Sequence, residues 1–328
     1  MIERETIFES QGLDLAGVLR YPDLHETKVP AVLLVHGSLE RDRDGNLLQK
    51  RDGRPAYKKN FFLEISRRLC SAGFATFSWD RRGFGESDKP QRPASYMDDV
   101  ADALAALQAL SLQTDIINPL RIAVLGQSAG VYTACLMAKE DNRPKAYVLQ
   151  GGLFSDYEKM MDFNYGRLVD YASRSVECLK WVEETDLIGL AIGHNLKDIV
   201  ERAKRGEDEQ EISYKGLKWR LHHDPTCYQE DYAPSRQFRY IRKSALVIHG
   251  GCDMNVPVGD AISIQGELIK NGIQNVELVI IPSADHSFQE VPEDIDLRYK
   301  ERMSLESFKR PYIHSYFHLL ESFLKRAI

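Results

Sequence analysis

Arg121-Ile122-Ala123-Val124-Leu125-Gly126-Gln127-Ser128-Ala129-Gly130, running on into Val131-Tyr132-Thr133-Ala134-Cys135-Leu136-Met137-Ala138-Lys139, decides how this chain folds. Residues 121–126 are a short apolar run without alternation, as in a strand buried on both faces. Residues 129–139 carry a helical pattern. A strand that turns sharply into a helix is one unit of a parallel α/β sheet. Between the two lies Gly126-x-Ser128-x-Gly130. In a strand–turn–helix setting the serine takes a strained backbone conformation, and the flanking glycines remove side chains that would clash. The hydroxyl then stands clear of the sheet beside a helix N-terminus that favours developing negative charge.

The same pattern extends in both directions. Short apolar runs recur at 31–36, 75–79, 146–150, 244–249 and 276–281, with helical spacing between them at 61–70 and 96–110. Two strands, 5–10 and 13–21, precede these and turn at Gln11-Gly12. Strand and helix alternate, which predicts a mostly parallel sheet with helices on both faces. One segment, 153–240, breaks the alternation. It shows helical and aromatic patterning with no clear strand, and it reads as an inserted helical cap on a core of 1–152 and 241–328.

The 328 residues carry 43 Lys plus Arg against 49 Asp plus Glu, a net charge of −6, with 43% hydrophobic and 28% charged residues. Such usage excludes a disordered or fibrous chain. It supplies no basic excess for nucleic acid. No run approaches the ~18 apolar residues that span a bilayer, and the acidic N-terminus is unlike a signal peptide. The five cysteines form no Cys-x-x-Cys pair, so a reducing, cytoplasmic setting is expected.

A serine hydroxyl needs a base within reach. His286 follows the last strand, on a loop at the carboxyl end of the sheet where open α/β folds gather functional groups. His36 and His249 end strands before glycine and suit packing roles, while His222 and His223 in the insertion are distant rivals. The imidazole in turn needs an acid. Asp253 lies on the loop after the penultimate strand, at the same sheet edge. Asp285 competes, but adjacent side chains diverge.

These residues, with His36-Gly37, the run Asp80-Arg81-Arg82-Gly83-Phe84-Gly85-Glu86-Ser87 and Gly250 to Pro257, make the sequence resemble the α/β-hydrolase superfamily. The order Ser, Asp, His is that family's order. The resemblance implies the α/β-hydrolase fold, with Ser128 as nucleophile, His286 as base and Asp253 as its orienting acid. It also implies an oxyanion hole from the backbone N–H groups of Ser38 and Ala129. A single glycine follows His36, unlike the His-Gly-Gly-Gly run of hormone-sensitive-lipase-like members. The long charged loop 39–59 resembles dienelactone-hydrolase-like and peptidase-like members. Its acids lack EF-hand spacing, and Gly83-x-Gly85 lacks the third glycine of a dinucleotide site. No cofactor and no metal is expected.

The expected activity is hydrolysis of a small-molecule carboxylic ester, or a lactone or thioester, through an acyl-enzyme on Ser128. The alternatives are a peptidase or amidase of prolyl-oligopeptidase type, for whose propeller these 328 residues leave no room, and a catalytically silent binding protein. Aromatic residues in 153–240, including Trp181 and Trp219, are the candidates for a pocket with an apolar or aromatic preference; a cap core of its own would be equally aromatic.

Overall fold

The computed structural model describes residues 1–23, 28–38, 41–46 and 58–328. The chain opens with the hairpin β1 (Ile2–Ser10) and β2 (Leu13–Tyr21), whose turn residues Gln11 and Gly12 both have positive φ. It continues through β3 (Val29–Val35), α1 (Phe61–Ser71), β4 (Ala75–Trp79), α2 (Tyr96–Ser111), β5 (Ile117–Gln127), α3 (Ala129–Glu140) and β6 (Ala146–Gln150). The chain then leaves the sheet. It forms α4 (Tyr157–Met161), a π-helical turn (Asp162–Gly166), α5 (Arg167–Ala172), α6 (Val176–Thr185), α7 (Leu187–His194) and α8 (Leu196–Lys204). The hairpin β7 (Glu209–Tyr214) and β8 (Leu217–His222) and the short α9 (Pro234–Gln237) follow. The sheet resumes with β9 (Ser244–Gly250), α10 (Val258–Lys270) and β10 (Val276–Ile281), and the last helices are α11 (Ile295–Lys300), α12 (Leu305–Phe308) and α13 (His314–Ala327).

The main sheet has the order β1-β2-β4-β3-β5-β6-β9-β10. β1 and β4 pair antiparallel with β2, and every other neighbouring pair is parallel. From β3 the chain passes to β4 on one side and then to β5 on the other. Strand order therefore reverses at β3, and ligands of open α/β sheets bind at the carboxyl ends of such strands.

The unalternating central strands β3, β4, β6 and β9, with residues 122–127 of β5, are buried on both faces, as their sequence requires, while β10 at the sheet edge is half-buried. Ala31, Leu33 and Val35 pack in one layer with Ala106 and Leu107 of α2 and Val131 and Ala134 of α3. Val32 and Leu34 face the other layer, with Phe62 and Ile65 of α1 and Tyr316 and Leu320 of α13.

Two features of the insertion differ from the sequence reading. Residues 209–222 form a hairpin where no strand was expected. Lys215 and Gly216 both have positive φ, the two-residue turn that matches strand twist, and buried Gln210 and Ile212 alternate with exposed neighbours. In addition, the insertion does not pack alone. Leu168, Tyr171, Val182 and Leu190 share a core with Tyr299 of α11. The Tyr171 and Tyr299 rings stack at 4.1 Å, and Arg302 Nε lies 3.0 Å from Asp186 Oδ2. Among the described residues no helix is long and apolar enough to cross a membrane.

Candidate active site

Ser128 sits between β5 and α3 with φ 56° and ψ −121°, a conformation that costs ~1–3 kcal/mol and persists only where the surroundings impose it. The imposition is visible at its glycines. A Cβ on Gly126 would lie 2.5 Å from Gly130 O, and one on Gly130 would lie 2.4 Å from Val35 O and 2.5 Å from His36 O. Only glycine lets the start of α3 rest on the end of β3. The loop after β3 runs beside the serine as well, since a Cβ on Gly37 would fall 3.1 Å from Ser128 Cβ. Ser38 and Ala129, the two expected oxyanion donors, both line the cavity onto which Ser128 opens.

His286 is presented by a tight loop after β10. Asp285 Oδ1 accepts hydrogen bonds from the backbone N–H groups of Ser287 at 2.7 Å and Gln289 at 2.9 Å. No hydrogen bond joins Asp285 to the imidazole among the described residues. Asp253 is the partner: its Oδ2 lies 2.6 Å from His286 Nδ1, and its Oδ1 accepts from the N–H groups of Asn255 at 2.7 Å and Val256 at 2.9 Å. Buried His249 adds a second imidazole contact, Nε2 to Asp253 Oδ2 at 3.2 Å. Burial alone would raise the Asp253 carboxyl. The His286 charge and the hydrogen bonds from both histidines outweigh it and hold the group well below the usual carboxylate range. A carboxylate only accepts, so Nδ1 of His286 carries the proton and Nε2 is left as the basic atom. No hydrogen bond joins the Ser128 hydroxyl to His286 among the described residues; contacts of this kind commonly tighten once substrate is in place.

Ser128 and His286 open on one cavity of about 320 Å³ between the sheet edge and the insertion. One wall is tyrosine. Tyr96 meets Tyr132 edge to face at 5.3 Å and lies tilted against Tyr157 at 6.1 Å. Burial pushes the Tyr96 and Tyr157 phenols well up, so this wall is neutral. Leu153, Met160 and Met161 extend it. The cavity is also lined by Arg41, Lys59 and Arg302, with Asp186 as the carboxylate among the described residues. Sequence reasoning missed Tyr132 and Lys59. Tyr132 follows Ser128 by four residues in the first turns of α3, which was a usable signal; Lys59 gave none.

The two tryptophan candidates are elsewhere. Trp181 packs on the core that holds Tyr171 and Tyr299, with Lys300 Nζ 4.6 Å from its ring centre. Trp219, on β8, packs on Ala191, Ile192, Ile199 and Ile212. Each packs half-buried against a small core, and neither lines the cavity. His222 and His223 at the hairpin end do not line it either. Nor does the run Asp80 to Ser87, whose charges serve the fold. Arg81 clasps Asp99, Arg82 clasps Asp102, and Asp80 receives Arg43 and the N–H of Glu86. In the charged loop, Asp42 caps a local turn by accepting the N–H groups of Asp44 and Asn46; residues 39–40 and 47–57 of that loop lie outside the described residues. Among the described residues no group of three or more His, Cys, Asp or Glu is placed to hold a metal ion.

Solved structures share this fold at low identity. Est1E from Butyrivibrio proteoclasticus, seen with ferulic acid, is 17% identical with a TM-score of 0.53, covering 98% of this chain and 96% of its own. The α/β hydrolase GrgF from Penicillium sp. sh18 is 16% identical with a TM-score of 0.57, covering 100% of this chain and 99% of its own. The acylaminoacyl peptidase of Pyrococcus horikoshii is 16% identical with a TM-score of 0.56, and it covers 100% of this chain. This chain spans only 42% of that peptidase's length. Residues 58–290 match the family profile described as serine aminopeptidase, S33. The match takes in the serine turn, the Asp253 loop and His286, and the protein belongs to this family of α/β-hydrolase serine hydrolases.

Proposed function

We propose that the protein hydrolyses carboxylic esters through an acyl-enzyme on Ser128. The Ser128 oxygen attacks the carbonyl carbon as its proton passes to Nε2 of His286. The carbonyl oxygen gains the charge beside the N–H groups of Ser38 and Ala129. Collapse breaks the bond to the leaving oxygen, which takes the proton from His286. Water then repeats the sequence on the acyl-enzyme and releases the acid. Asp253 holds the imidazole tautomer and balances its charge throughout. The observation that carries this reading is the 2.6 Å Asp253–His286 contact beside a serine in strained geometry on one covered cavity.

Ester is favoured over peptide by the charge of the cavity. An aminopeptidase must hold a substrate ammonium, which calls for a spare carboxylate. Among the described residues three cations line the cavity against Asp186, and Asp186 is engaged by Arg302. The insertion acts as a cap whose tyrosine and methionine wall suits a partly aromatic small-molecule substrate. Five free cysteines suit a reducing compartment such as the cytoplasm. A fluorophosphonate probe should label the wild type and fail on Ser128→Ala. A panel of p-nitrophenyl esters should be cleaved faster than aminoacyl p-nitroanilides. Absence of labelling would make the fold a binding module, and preference for the anilides would make it a peptidase.

A further inference from the structure

A second cavity of about 110 Å³ adjoins the first and shares Lys59, His286 and Ser287 with it. Its charged lining is Lys59, Arg298, Arg302 and Arg310 against Asp285 and Glu301. Most of these charges are engaged. Arg310 pairs with Glu301, Arg302 pairs with Asp186, and Asp285 caps its own loop. Lys59 and Arg298 have no carboxylate within ion-pair distance among the described residues, and Asp285 acts on Lys59 only from farther off. Lys59 Nζ donates to Ser287 Oγ at 3.2 Å and lies 4.9 Å from the centre of the Phe308 ring. Arg298 Nη2 donates to the backbone oxygen of Glu293 at 2.9 Å, while its buried Nε has no partner.

Cations at a cavity wall without a counter-ion in contact are costly to desolvate, and an anion that enters relieves the cost. Burial already pushes the Lys59 ammonium down. We propose that the substrate carries a carboxylate remote from its scissile bond, which Lys59 and Arg298 hold in this side chamber. The proposal rests on the ester-hydrolase reading and narrows it to acidic esters. The chamber abuts His286 through Ser287, so the carboxylate arm lies beside the reacting centre while the rest of the substrate meets the tyrosine wall.

The test compares matched acid and methyl-ester pairs: monophenyl glutarate with its methyl ester, and 3-acetoxybenzoate with its methyl ester. Wild type should prefer the acid in one pair by kcat/KM. Charge-assisted contacts of this kind are worth roughly 10–100-fold. That preference should fall at least tenfold in Lys59→Met and in Arg298→Met, and hold in Lys59→Arg and in the exposed neighbour Lys58→Met. Equal cleavage of acid and methyl ester, or a preference unmoved by both methionine variants, overturns the proposal. Calorimetry with glutarate separates it from the ester reading, because binding needs no turnover. Glutarate should bind the wild type and be lost in Lys59→Met; no binding, or tighter binding of inorganic phosphate, overturns the carboxylate site.

Discussion

Asp253 holds its place through four hydrogen-bonding contacts, two backbone N–H groups and two imidazoles, whereas Asp285 turns its carboxylate on its own loop. Asp253→Asn should therefore cost about 10⁴ in turnover, because a carboxamide stabilises the wrong imidazole tautomer. Asp285→Asn should cost far less, and the reverse order in steady-state assays would exchange the two roles. His36 shows the opposite use of a buried ring. Its Nε2 bonds the backbone oxygen of Trp79, its Nδ1 has no partner among the described residues, and burial lowers it to about 3. The folded protein thus keeps His36 neutral down to that pH, while the unfolded chain protonates near 6.5. Between these values the unfolded state binds more protons, so stability should fall as pH drops, by up to ~1.4 kcal/mol per pH unit. His36→Gln keeps a donor for Trp79 but does not titrate. Its urea midpoint should lose less between pH 6.5 and 4.5 than the wild type's, and equal losses would mean that His36 is not the source.

Each catalytic candidate sits at the end of a strand inside a short motif, so Ser128, Asp253 and His286 could be placed from a few neighbouring residues. The alternation of apolar runs and helical spacing likewise reveals the sheet. The cavity wall is different, because it is assembled by packing between distant segments. Trp181 and Trp219 look like pocket residues by type, yet α11 returns from beyond His286 and encloses Trp181 with Tyr299, while the β7–β8 hairpin turns Trp219 onto α7 and α8. The hairpin itself carried a usable signal in Lys215-Gly216 between alternating residues. Trp181→Ala and Trp219→Ala, half-buried as both are, should accordingly lower stability by less than the ~3–5 kcal/mol of a fully buried tryptophan and affect large and small esters alike. Tyr157→Ala, which opens the wall itself, should raise KM for a bulky aromatic ester and leave p-nitrophenyl acetate nearly unchanged. Urea unfolding with paired KM measurements decides this. Size selectivity that shifts in a tryptophan variant and not in Tyr157→Ala would return the pocket to the tryptophans.

The insertion joins the sheet at β6 and β9, bonds α2, α3 and α10 through Asp224, Tyr232 and Ser155, and is attached further by the segment between His286 and α13. That attachment centres on Arg302, whose Nε meets Asp186 at 3.0 Å and whose Nη1 donates to the backbone oxygen of Asn164 at 3.0 Å. Both charged side chains are nearly buried, at 10% and 5% exposure. Taking one partner from such a pair leaves an uncompensated charge and costs roughly 3–5 kcal/mol, whereas removing both costs much less. Arg302→Met should therefore destabilise the protein strongly in the wild type and only weakly in an Asp186→Asn background. Asn at 186 can still cap α7 through its side-chain oxygen, as Asp186 does toward Gly189 N, so the double variant reports the ion pair and not a lost cap. Asp186, Asn164 and Arg302 also line the main cavity. The single variant should then raise KM for large esters together with its loss of stability, and the double variant should recover part of both. Additive costs across the cycle, measured by urea unfolding, would show that the pair is not coupled, and that the stacked tyrosines and the hydrogen bonds of Asp224, Tyr232 and Ser155 to the core hold the insertion without it.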